Sequence, residues 1–164
     1  MDTESPQRFS LQKYIFGATS AIITNLAIVT GLHSSANAKT SIIGSLLVIA
    51  LADNISDSLG IHIYQETEDI QKKEVWIGTF TNFSARLLVS FGFILIVFLL
   101  PIEMAVTISI IYGLLTLGIF SYMIAKMKKL NPISAIFEHI IIATVVIIIS
   151  KYLGEWIVNR FQHL

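Results

Sequence analysis

Five apolar stretches, each near the roughly 20 residues that a helix needs to cross a bilayer, follow one another with only short polar breaks between them. They are Tyr14–Leu32, Thr40–Tyr64, Val75–Leu100, Glu103–Ala125 and Ile133–Val158. Backbone N–H and C=O groups cannot go unpaired in lipid, so stretches of this kind become helices rather than open strands. That preference overrides the strand tendency of runs such as Ile140–Ile149. The breaks are a polar turn at His33–Lys39, a charged connector at Gln65–Glu74, Pro101, and Lys126–Pro132. Pro101 makes the third and fourth stretches a tight hairpin.

Composition agrees. Apolar residues make up 54% of the 164 positions and charged residues only 13%, with mean hydropathy +0.75, whereas a soluble domain carries about a quarter charged residues. Polar surface is too scarce to cover a soluble fold. The expected class is an all-α integral membrane protein with a single transmembrane domain over 1–164. The longest hydrophilic connector is too short to fold alone. Lys and Arg are concentrated on one side: Arg8, Lys13, Lys72, Lys73, Lys126, Lys128 and Lys129, against Lys39, Lys151 and Arg160. This bias predicts the N-terminus inside and the C-terminus outside. Residues Met1 to Ser10 lack the pattern of a signal peptide, so the first span is expected to stay in the mature chain.

Formal net charge is zero, which gives no footing for nucleic acid. The chain has no cysteine, which excludes disulfides, thiolate metal ligands and a cysteine nucleophile. Zinc-protease, serine-hydrolase and phosphate-loop patterns are missing as well, so no enzyme is expected.

Asp53 and Asp57 stand four residues apart inside the second span, on one helix face. A carboxylate at membrane depth costs about 2.5–3.5 kcal/mol on insertion scales, so such groups face a partner or a watery path. Beside them Ala52, Ser56 and Gly60 form a small-residue ridge that allows close helix approach, within the chain or with a second copy. Asn25 in the first span is a candidate for the same path, since a mid-span amide needs a partner. Thr19, Ser20 and Thr24 read as hydroxyls bonded back to their own helix. Carboxylate, amide and hydroxyl oxygens suit hard or borderline divalent cations. His62, Glu66 and Glu68 continue toward the inner end as an acidic mouth that would concentrate cations. The alternative for Glu68 and Asp69 is a solvated connector balanced by Lys72 and Lys73. Arg86 reads as the structural counter-ion of an aspartate or of Glu138. Glu138 and His139 suit a proton relay or packing, and Lys151 with Glu155 an i, i+4 pair. Asn54-Ile-Ser and Asn82-Phe-Ser match glycosylation sequons but lie within spans.

The start Ile15-Phe16-Gly17-Ala18 through Leu26-Ala27-Ile28-Val29-Thr30-Gly31, and above all Ala52-Asp53-Asn54-Ile55-Ser56-Asp57-Ser58-Leu59-Gly60 followed by Glu68, resemble the vacuolar iron transporter family. The second segment is similar to that family's Ala-Asp-Gly-Leu-Ser-Met-Ala-Leu-Gly-Glu-Tyr. The hairpin at Pro101 and Gly154 in the last span fit too. The resemblance implies a dimeric five-helix exporter of iron(II) or manganese(II) with no resident cofactor; it carries over Asp53, Ser56 and the trailing Glu68, and the polar pattern of the spans adds Asp57, Asn25, His62 and Glu66 as the other residues expected toward the metal. Protons are the implied counter-ion, since two close carboxylates favour exchange of proton for metal. The implied location is the cell (inner) membrane or a vacuole-type membrane. The chain also departs from the pattern. The family's first-helix Asp-Gly falls on Ser20-Ala21, its Met on Asp57 and its Glu-Tyr on Ile61-His62, and its cytoplasmic metal-binding domain shrinks to Gln65–Glu74. Exchange of a thioether for Asp57 shifts the ligand set toward harder cations, manganese or magnesium. The alternative is a membrane scaffold or regulatory protein that keeps the fold without transport. The two differ in where Asp53 and Asp57 point: into a polar cavity for transport, onto Arg86 for the scaffold. Transport of another small solute is a third reading.

Overall fold

The computed structural model describes residues 6–68 and 70–161, with the backbone alone for residues 6–14 and for Phe16. The side chains of Arg8 and Lys13, all of Asp69 and residues 1–5 therefore lie outside the described residues. The described chain is five helices: α1 Pro6–Gly31, α2 Ala38–Thr67, α3 Lys72–Leu99, α4 Ile102–Met127 and α5 Pro132–Phe161. Four of them, α2 to α5, are long and apolar enough to cross a membrane, and α1 contributes a shorter apolar stretch, Gly17–Gly31. This set of helices fits a multi-pass membrane protein.

The helix boundaries have local causes. Residues before proline are pushed out of the helical region, and Leu100 before Pro101 is extended at φ −105°, ψ 155°. Lys129 takes a left-handed φ of 57°, and the Leu130 N–H donates to the Ala125 carbonyl at 2.9 Å, a closure that satisfies the last carbonyls of α4. Asn131 then opens α5: its Oδ1 accepts the Ile133 N–H at 3.0 Å, and Pro132 takes the first helical position, where its missing N–H costs nothing. The charged connector is shorter than its sequence suggests. Helix α2 runs on to Thr67 and α3 begins at Lys72, because a helix that leaves lipid can keep its internal hydrogen bonds in water.

Helix α1 is the centre of the bundle, packed against each of the other four. Every described side chain from Ile15 to Leu32 is buried or half-buried. A helix wrapped in protein need not be greasy on all sides, which explains why the least apolar segment lies innermost. The core joins Ala18, Ile22, Leu26 and Val29 of α1 to Leu46 of α2, to Val89 and Phe93 of α3 and to Leu117 of α4. Helix α5 is peripheral and buries only Ala143 and Gly154. It is held at one end by a backbone contact, since a Cβ on Gly154 would run into the carbonyl oxygen of Gly31. The α2 ridge expected to pack closely is instead on the outer surface: Ala52, Ser56 and Gly60 are exposed, and a Cβ on Gly60 or Gly44 would meet nothing within 4 Å.

Candidate functional site

The largest group of buried polar residues lies on the seam between α2 and α3. On α2 the buried stripe Ala50, Asn54, Ser58 repeats every four residues, and on α3 so does Asn82, Arg86, Ser90. The two helices run antiparallel through their short connector, so the stripes meet rung by rung. Asn82 Nδ2 donates to Ser58 Oγ at 3.1 Å, and Arg86 Nε donates to Asn54 Oδ1 at 2.9 Å.

Arg86 is the centre of this seam. It lies 14 residues after Lys72 and 13 before Leu99, at the middle of α3, and its side chain is 1% exposed. Its fork reaches both aspartates of α2. Nη2 donates to Asp53 Oδ2 at 2.5 Å. Nη1 stands 2.5 Å from Asp57 Oδ2, but outside hydrogen-bond alignment, so that this buried group has no hydrogen-bond acceptor. Planar guanidinium donors suit such bridging, and an arginine keeps its charge at any accessible pH. By formal charge alone, two carboxylates and one guanidinium sum to −1. The carboxylates are not enclosed: the Asp53 and Asp57 side chains are 39% and 41% exposed, beside the outward-facing ridge.

Other residues singled out from the sequence fall elsewhere. Asn25 is fully buried and donates through Nδ2 to Ser90 Oγ at 3.0 Å. It sits one α3 turn from Arg86 and touches neither aspartate, and its Oδ1 has no hydrogen-bond partner. Ser56 faces outward. His62 lies between α2 and α3, with Nδ1 2.9 Å from Thr79 Oγ1, Nε2 3.4 Å from Glu66 Oε1, and its ring edge against Trp76. The Thr79 hydroxyl also donates to the Val75 carbonyl at 2.9 Å, which ties it to its own helix beside the His62 ring. Glu68 is exposed at the end of α2. Among the described residues no group of three or more His, Asp or Glu side chains is placed to hold a metal ion. Five of the seven sequence candidates thus form three separate places in one protomer, the aspartate pair on Arg86, Asn25 on Ser90, and His62 with Glu66, while Ser56 and Glu68 stand exposed outside them.

Arg86 pairs with the aspartates and not with Glu138, which is exposed on α5. His139 Nδ1 meets Ser121 Oγ of α4 at 2.8 Å, a packing contact between helices. Lys151 and Glu155 approach to 4.0 Å as an exposed i, i+4 pair, and Thr24 bonds back to the Ser20 carbonyl at 3.2 Å. Sequence reasoning missed Asn54, Asn82, Ser58, Ser90 and Thr79. The signal was present in the four-residue spacing Asn54/Ser58 and Asn82/Arg86/Ser90, which puts each set on one helix face. Next to the seam, Leu59 and His62 of α2 with Trp76 and Phe80 of α3 line part of an open cavity of about 330 Å³ whose walls are mostly apolar.

Fold and site together describe an all-helical chain whose apolar helices fit a multi-pass membrane protein, with an ionic bridge at the middle of its third helix. Compared with profiles of known families, with curated proteins and with solved structures, the chain matches none.

Proposed function

We propose that the chain is a divalent cation transporter that works as a homodimer and moves iron(II) or manganese(II) out of the cytosol in exchange for protons. The observation that carries this reading is the charge left over at Arg86. Two half-exposed carboxylates share one guanidinium, and the remaining −1 lies on the protomer's outer face. Facing lipid, each carboxylate would cost about 2.5–3.5 kcal/mol. A second copy laid against the exposed Ala52–Ser56–Gly60 ridge would cover them. Two facing clusters then carry −2, which one divalent ion neutralises, and so do two protons. The motif resemblance to vacuolar iron transporters supports the same substrate class. In this reading the N-terminus is inside, the C-terminus outside, and the protein sits in the cell (inner) membrane or a vacuole-type membrane. His62 and Glu66 belong to the inner approach, with Glu68 at its mouth.

Asp53→Asn is expected to abolish proton-driven manganese movement in proteoliposomes, and full retention would remove that carboxylate as the coupling group. The α2 contact has its own check. The chain lacks cysteine, so Ser56→Cys alone should give an oxidised dimer in membranes, whereas Ile141→Cys on the far side should not.

One observation favours the second reading, a scaffold or regulatory protein without transport. The aspartates close onto Arg86, and among the described residues no further carboxylate or imidazole joins them to form a metal-holding group. Folded, dimeric protein that moves none of the divalent metals would decide for it.

A further inference from the structure

The three prongs of Arg86 are not equivalent. Nε is fixed on Asn54 Oδ1, and Asn54 is itself fixed, because its Nδ2 donates to the Ala50 carbonyl at 2.8 Å. Nη2 is aligned on Asp53. Nη1 faces Asp57 closely, yet no acceptor satisfies its N–H groups. The guanidinium is therefore hydrogen-bonded to Asn54 and Asp53 and ion-paired with Asp57 in a contact that is close but less well aligned. Its oxygen partners are also the oxygens that a hard cation would choose.

We propose that Arg86 is a tethered cation that occupies the ligand oxygens of Asp53 and Asp57 when no ion is bound, and that a divalent cation loads by taking Asp57 from it. This rests on the transport reading above. The planar two-sided fork of an arginine reaches both carboxylates at once, as the single ammonium of a lysine would not. The competition keeps the ion weakly held at a site whose carboxylates would otherwise bind it tightly, and weak holding is what release on the far side requires. Asp57 yields first because its contact is the unaligned one, while Asn54 and Asp53 keep the side chain in place for its return. Arg86 is thus a positioning residue that sets affinity, and it does not itself ligate the metal.

Manganese uptake into proteoliposomes, measured over a range of concentrations for wild type, Arg86→Lys and Arg86→Gln, tests this. Removal of the competitor should lower KM at least tenfold in Arg86→Gln and lower kcat with it, because the ion is then held too well. Arg86→Lys keeps the charge but loses the two-sided fork, and should shift KM in the same direction by less. A purely structural arginine would give the opposite, an unchanged or raised KM alongside lost rate. That result, with wild-type transport intact, overturns the proposal and leaves the transport reading standing. Should Arg86→Gln fail to fold, Arg86→Lys decides alone: a lowered KM supports the tethered cation and an unchanged or raised KM overturns it. Folded wild-type protein that neither binds nor moves manganese or iron(II) sinks the transport reading, and this inference with it.

Discussion

Gly154→Ala should be among the most damaging single-methyl additions in this protein. The new Cβ would land on the carbonyl oxygen of Gly31, with the Gly31 carbonyl carbon and Cα close behind. Backbone lies on both sides of that contact, so no side chain can turn away. Real Cβ atoms essentially never come nearer than 3.0 Å to such an atom, so α5 must withdraw by about an ångström at this end. A radial gap of that size forfeits about a quarter to a half of each dispersion contact across it. Helix α5 buries only Ala143 and Gly154, so few other contacts are available to compensate. Overpacking costs about 1–3 kcal/mol, and the unyielding backbone places this case near 3. Gly118→Ala on α4 is the control. Its Cβ meets nothing within 4 Å, and helix propensity favours alanine by up to about 1 kcal/mol. Reversible unfolding in mixed micelles with increasing sodium dodecyl sulfate should therefore separate the two variants by about 3–4 kcal/mol. Equal stabilities would refute the close approach of α1 and α5.

Three further outcomes are expected. Arg86→Met leaves two carboxylates without their cation and the Asn54 oxygen without its donor, and should cost about 3 kcal/mol, the lower end for a broken buried pair because the aspartates are half-exposed; in the same unfolding assay, adding Asp53→Asn and Asp57→Asn should recover most of it. Ser121→Ala removes the hydroxyl that meets His139 Nδ1 and should cost about 1–2 kcal/mol by the same assay. Glu103→Gln at the contact with His33 should change stability by less than about 1 kcal/mol, since Glu103 is 81% exposed and the pair is open to solvent.

The helices were legible in the sequence because apolar length dictates them, and the turn at Pro101 because proline forbids helix at Leu100. The charged connector was misjudged in extent, since charge marks where lipid ends and the helix runs on. The position of α1 at the centre was not legible: its modest hydropathy marks a helix that protein covers, but only the packing tells which neighbours do so. At the site, the shared face of Asp53 and Asp57 followed from spacing, and Arg86 was recognisable as a counter-ion. Its choice of both aspartates over Glu138 depends on α3 lying against α2 and α5 lying far from that seam. Asn54 and Asn82 stood in view as chance sequons while their four-residue spacing to Ser58 and Arg86 held the more useful information. Asn25 was correctly a residue in need of a partner, but the partner is Ser90, a fact set by the packing of α1 on α3.

The central claim is that the net-negative aspartate cluster is a cation path. Its most direct test is divalent-metal flux in proteoliposomes under an imposed proton gradient, wild type against Asp57→Ala. The account expects manganese or iron(II) flux in the wild type and its loss in the variant, with both proteins folded. Flux that survives in Asp57→Ala, or no flux of any divalent metal in folded, dimeric wild type, would contradict it.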